Sequence, residues 1–171
     1  SVVMLRGREA ARFSFEPAVA VDSVAMPPGD PHRDHSRAIR ARDVVFREMA
    51  PHLFAADLVS LNTRVFVAEF TDHLVVIEGA YDSRICDVIA RVVRDRFQKP
   101  VRWFAFSHLH GQYAGGARSW IHEGATVLVP RSTVPLIADA AKAGHALGPD
   151  ALAREPRPLK GEIVETQLLL A

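Results

Sequence analysis

From about residue 44 onward, apolar residues fall into short runs whose spacing switches between strand and helix periods. Val44-Val45-Phe46 and Leu53-Phe54-Ala55 flank Pro51-His52 and predict two short strands joined by a turn. Thr63 to Phe70 is rich in Val and Phe, Thr71-Asp72 turns the chain, and Leu74-Val75-Val76-Ile77 follows before Glu78. Two β-rich runs around a tight polar turn read as a hairpin, and the unbroken second run suits a strand covered on both faces. Asp82 or Ser83 can cap a helix over 82–97, where Ile85, Val88, Ile89, Val92, Val93 and Phe97 recur at helical spacing, until Lys99-Pro100 stops it.

Val101 to Phe106 is again a short buried strand. The pattern then predicts a helix over 112–122 with Trp120 and Ile121 inward, and a strand from Thr126 to Val129. A helix capped by Ser132 follows, with Pro135 in its first turn and Val134, Leu136, Ile137, Ala140 and Ala141 on its buried side, closed by Gly144. Residues 144–161 read as a loop, and Ile163 to Leu170 as a last strand. Hairpins followed by β-α-β-α-β-α argue an α/β layered fold.

Residues 1–43 form an irregular amino-terminal segment in this reading, and 44–171 the α/β domain. Met26-Pro27-Pro28-Gly29-Asp30-Pro31 is a breaker cluster. Asp30, His32, Asp34 and His35 are metal-capable, but no apolar strand precedes them to hold them rigid, so a solvated polar loop is the better reading.

The chain has 171 residues, 49% of them hydrophobic, which is enough for one domain with a core of its own. A formal charge of +1 argues against a nucleic-acid surface, and no run approaches the roughly 20 apolar residues of a membrane span. Cys86 stands alone, which excludes an internal disulfide, and reads as a small half-buried hydrophobe. The start, Ser1-Val2-Val3-Met4-Leu5-Arg6-Gly7, lacks the features of a signal peptide, which favours the cytoplasm. It also lacks an initial Met, as in a processed chain or a fragment.

The candidate chemistry sits where the 101–106 strand ends, in Ser107-His108-Leu109-His110-Gly111-Gln112-Tyr113-Ala114-Gly115-Gly116. In extended backbone, residues i and i+2 point the same way, so His108 and His110 are expected to converge beyond the strand's carboxyl end. Open α/β sheets place ligand sites there. Strand, His-x-His and Gly-Gly together resemble the first metal motif of the metallo-β-lactamase fold, which runs His-x-His-x-Asp-His. Here Gln112 stands at the aspartate and Tyr113 at the third histidine.

The resemblance covers residues 44–165 and implies half of a metallo-β-lactamase-type αββα sandwich, a mixed sheet flanked by helices. It also implies that a second half, supplying further ligands, would begin where this chain ends. A hydrolytic zinc site takes about three protein ligands plus an open position, and the motif leaves His108 and His110. Zinc is therefore expected to bind weakly, and no catalytic residue is assigned. Two readings of the histidines stand side by side: remnants of a metal site that hydrogen-bond nearby backbone, or working metal ligands. Tyr113 reads as packing at the helix start and Gln112 as a hydrogen bond in its first turn. The expected function is a metallo-β-lactamase-like domain with a degenerate site, catalytically impaired, serving as a binding or regulatory module. The alternative is a zinc-dependent hydrolase of lactams, esters, thioesters or phosphoesters that is completed by a partner chain or by further sequence. A half-sandwich would expose one sheet face, through Val65, Val67, Val75, Ile77 and Phe104 or Phe106, and a homodimer would cover it.

Overall fold

A computed structural model describes residues 2–5, 8–12, 39–144 and 148–165. The chain divides into two units, Ser1–Arg37 and Ala38–Ala171. In the first, β1 (Val2–Leu5) and β2 (Arg8–Arg12) pair antiparallel, so an ordered hairpin stands in the stretch expected to be irregular. Asp30, His32, Asp34 and His35 lie outside the described residues.

The second unit is built on a mixed seven-stranded sheet in simple sequence order, β3 to β9. Its strands are β3 (Val44–Ala50), β4 (Leu53–Leu58), β5 (Thr63–Glu69), β6 (Leu74–Ile77), β7 (Val101–Ala105), β8 (Thr126–Val129) and β9 (Lys160–Ile163). Pairs from β3 to β6 are antiparallel and those from β6 to β9 parallel. The parallel half is crossed by α1 (Ser83–Phe97), α2 (Gly111–Ala114), α3 (Ala117–His122), α4 (Val134–Lys142) and α5 (Ala151–Arg154). The expected hairpins, the 82–97 helix and the strands at 101–106 and 126–129 are all present. Asp82 caps α1 by accepting a hydrogen bond from the Ile85 amide at 2.9 Å, a contact worth about 1 kcal/mol.

Register explains the core. One row runs across five strands, Phe54–Val67–Val76–Phe104–Val127. Phe97 of α1 packs on its Phe54 end at 5.1 Å between ring centroids, and Trp120 of α3 on Phe104 at 6.2 Å. Ile89, Val93, Trp120 and Ile121 complete this buried layer. The neighbouring rows, Ala55–Phe66–Ile77–Ala105 and Ala68–Val75–Trp103–Thr126, belong to the opposite face. The apolar face expected to lie open therefore mixed two faces. Val65, Val67 and Phe104 are fully buried in the core layer, whereas Val75 and Ile77 belong to the other face. That second face is not uniformly apolar. Asp57 on β4 is bridged by Arg47 of β3 at 3.3 Å and Arg64 of β5 at 3.1 Å.

Four expectations are corrected. The single helix over 112–122 is two short helices broken at Gly115-Gly116, because backbone from another loop crosses there. Helix α4 is preceded by a 3-10 turn at 131–133, and Thr133 rather than Ser132 stands at its start, its hydroxyl donating to the Pro130 carbonyl. Only Ile137 of α4 is fully buried, and Leu136 points outward at 56% exposure. The last described strand is Lys160–Ile163, so of the expected 163–170 strand Ile163 belongs to it and Val164 and Glu165 do not: the parallel ladder pairs Thr126 with Lys160 and Val129 with Ile163. As an edge strand it carries Lys160 and Glu162, which discourage further pairing. Residues 166–170 lie outside the described set.

A polar network ties the helices together. Buried Arg118 on α3 donates to both carboxylate oxygens of Asp150, at 2.6 and 3.0 Å, and to the carbonyls of Ala140 and Ala141. Asp150 also accepts from the Ala153 amide and so caps α5. Next to it the Ser119 hydroxyl reaches the Ser83 carbonyl and Asp87, and Asp87 accepts the Ala151 amide. Cys86 is fully buried, not half-buried, and desolvation pushes its thiol far above the ordinary range, which leaves it inert.

Candidate metal centre

Two loops meet at the carboxyl ends of the adjacent parallel strands β6 and β7. The first, Glu78-Gly79-Ala80-Tyr81, leads into α1; the second, Phe106 to His110, leads into α2. Ala105 and Glu78 continue the ladder through a bond from the Glu78 amide to the Ala105 carbonyl at 2.9 Å. Glu78 is buried, and its Oε2 accepts from the Ser107 amide at 3.3 Å, which anchors the second loop to the first. Glu78 and Ala80 both hold left-handed backbone, with φ of 73° and 50°. Neither is glycine, so the turn carries strain that its surroundings must sustain.

Glycines allow the close approach that does so. The Gly79 amide donates to the Tyr113 carbonyl at 2.6 Å. A Cβ on Gly116 would overlap the Gly79 carbonyl oxygen, and one on Gly115 would overlap the Tyr81 carbonyl. These crossings split the expected helix and fix α2 against the first loop.

The two histidines stand on this platform, both exposed. The backbone between them is not extended as expected: the His110 amide donates to the His108 carbonyl at 2.9 Å, a three-residue turn. The imidazoles still lie near each other, with ring centroids 6.0 Å apart at 31°. Rings sharing one zinc at 2.0–2.1 Å bonds have centroids roughly 5 Å apart, about 1 Å closer than these two. His108 Nδ1 lies 3.0 Å from the Ser107 hydroxyl, which leaves its Nε2 outward.

The other two motif positions are engaged elsewhere. Gln112 does not bond within its helix turn as expected; its amide donates to the Tyr81 hydroxyl at 2.5 Å. Tyr113 packs its ring on His108 at 4.3 Å. Among the described residues no three His, Cys, Asp or Glu side chains converge to hold a metal ion. This donor set does not fit a hydrolytic zinc centre, which takes three protein ligands and keeps one position open. Glu78 and Tyr81 were not singled out from sequence. An acid directly after the buried run Leu74–Ile77 and before a glycine is the one signal that pointed to Glu78.

No known family model matches the sequence, and no curated protein does. Among solved structures the chain is similar to a metallo-β-lactamase from Hirschia baltica, with a TM-score of 0.51 and 19% identity over 74% of this chain and 54% of that one. A second, weaker likeness is to the metallo-β-lactamase FIM-1 from Pseudomonas aeruginosa in its mono-zinc form, with a TM-score of 0.47 and 17% identity over 71% of this chain and 50% of that one. The likeness is one of fold: this α/β unit adopts the metallo-β-lactamase fold, as its motif implied. The chain spans about half the length of the solved structures it matches. Among the described residues no helix is long and apolar enough to cross a membrane.

Proposed function

We propose that this protein is a metallo-β-lactamase-like domain with a degenerate metal site, catalytically impaired, that serves as a binding or regulatory module. The observation that carries this is the donor set at the end of β7: two exposed imidazoles, with Gln112 held by Tyr81 and Tyr113 packed on His108. Two neutral ligands bind zinc weakly and leave a bound water with no carboxylate to orient it. Purified protein loaded with zinc and then desalted is expected to retain well under one ion per chain, and to lose it to a mild chelator. Hydrolysis of lactam and ester substrates is expected at background. Gln112→Asp with Tyr113→His should raise zinc affinity. One tightly held zinc per chain, removed by His108→Ala and accompanied by metal-dependent turnover, would overturn the proposal.

One observation favours a second reading, a zinc hydrolase completed by other protein. The two imidazoles are exposed and lie 6.0 Å apart, near the spacing of rings on a shared ion. Under that reading zinc retention rises steeply with protein concentration, together with a shift to a dimer in light scattering. Under the first reading it does not.

A further inference from the structure

Away from the histidines, a cleft of about 210 Å³ opens on the solvent side of α1, walled by the end of α3 and by α5. Asp87, Arg91 and Arg94 face it from α1, His122 and Glu123 from the end of α3, and Arg154 and Glu155 from the end of α5. We propose that this cleft binds a phosphate group, as free phosphate or a small phosphate monoester.

The charges look balanced until their partners are counted. Asp87 accepts the Ser119 hydroxyl at 2.6 Å and the Ala151 amide at 2.9 Å, so its oxygens are used in holding α3 and α5 to α1. Glu123 accepts Arg94 at 2.8 Å. Glu155 is largely exposed, lies 3.4 Å from Arg157 and turns its carbonyl toward His122 Nδ1 at 3.3 Å. Asp87 and Glu123 are thus occupied by donors within the fold, and the Glu155 carboxylate, 4.0 Å from His122 Nε2, stays on the exposed rim. The cations are less occupied. Arg91 is exposed and has no hydrogen bond or ion pair among the described residues, so its whole donor fork is free. Arg154 gives one nitrogen to the Pro149 carbonyl at 2.6 Å, while another stays 3.8 Å from Asp87, beyond hydrogen-bonding distance. Arg94 spends one nitrogen on Glu123.

Three guanidinium groups with spare N–H donors therefore border one small cleft. Planar forks of this kind match a tetrahedral oxyanion with two parallel hydrogen bonds each, a geometry lysine does not offer.

The test is amide NMR of the full chain titrated with inorganic phosphate and, separately, with glycerol phosphate, at constant ionic strength held with chloride. Saturable shifts are expected at residues 87–94, 119–123 and 151–155. Arg91→Gln should weaken binding about tenfold, as the loss of one charge-assisted bidentate contact does. Arg91 makes no hydrogen bond or ion pair with a described residue, so this variant should melt with the wild type. Arg84→Gln, on the same helix but outside the cleft, should bind as the wild type does. Tighter binding of the ester identifies a monoester ligand, and equal binding identifies phosphate alone. Shifts that do not saturate, or that map elsewhere, overturn the proposal. So does equal weakening by Arg84→Gln and Arg91→Gln, which would mark a diffuse cationic field.

Discussion

Arg118→Ala is expected to destabilise the α/β unit by about 3–5 kcal/mol, the range for removing one partner of a buried ion pair. The Asp150 side chain is fully buried and Arg118 nearly so. Truncation strands the carboxylate and removes the donor from two carbonyls at the end of α4. Acid should reveal the mechanism. Burial alone would raise the Asp150 carboxyl, but hydrogen bonds from Arg118, the Ala153 amide and Ser83, with the Arg118 charge, hold it well below the usual carboxylate range. A depressed group contributes stability that is present above its unfolded value near 3.9 and is lost as pH falls through the folded value. In Arg118→Ala burial is opposed only by the Ala153 amide and Ser83, so the carboxyl rises and its penalty is relieved on protonation. The gap between wild type and variant in urea unfolding should therefore narrow from pH 7 toward about pH 4. Replacing both partners, with Arg118→Met and Asp150→Leu, should cost less than Arg118→Ala alone. A loss below about 1 kcal/mol at pH 7 would show that the pair is dispensable.

Gly116→Ala is expected to cost about 3 kcal/mol, the upper range for forcing atoms into a packed site. The new methyl would overlap the Gly79 carbonyl oxygen and lie 2.5 Å from both Cβ and Sγ of Cys86. Gly79 cannot retreat, because its amide is bonded to Tyr113 and a Cβ direction on it points at Phe104 within 3.2 Å. The damage should reach the site as well, since the same crossing fixes α2, and α2 carries Gln112 and Tyr113. Imidazole NMR signals of His108 and His110 should shift in the variant. Gly144→Ala, where nothing lies within 4 Å, is the control and should melt with the wild type. An unchanged melting temperature for Gly116→Ala would mean that the loops can separate freely.

The sheet was legible in the sequence wherever one spacing dominated. Leu74–Ile77 is an unbroken apolar run because Leu74, Val75 and Val76 are all buried, Val101–Ala105 shows itself through buried Val101 and Phe104 although Arg102 is exposed, and α1 shows its buried stripe through Ile85, Ile89, Val93 and Phe97. The break between α2 and α3 was not legible, since its cause is the Gly79 backbone, far off in sequence. Nor was β9: Lys160-Gly161-Glu162-Ile163 has almost no apolar signal, and only pairing with β8 makes it a strand. At the site, strand-end position and spacing located His108 and His110. Their supports could not be read, because Glu78 and Tyr81 come from a neighbouring strand's loop. That loop holds the residues on either side of the histidine turn, Ser107 through Glu78 and Gln112 through Tyr81.

The sheet order also fixes a timetable for folding. From β3 to β6 each strand pairs with its immediate successor in the chain, so residues 44–77 can zip through short closures. From β6 onward each new pairing waits for an intervening helix to form and dock. Pulse-labelled hydrogen exchange during refolding should therefore protect amides in 44–69 before those in 101–129. Until β7 arrives, β6 presents an apolar open edge, Leu74–Ile77, to any other chain nearby. The vulnerable interval in the life of this protein is the wait for α1 to cross over and deliver that strand.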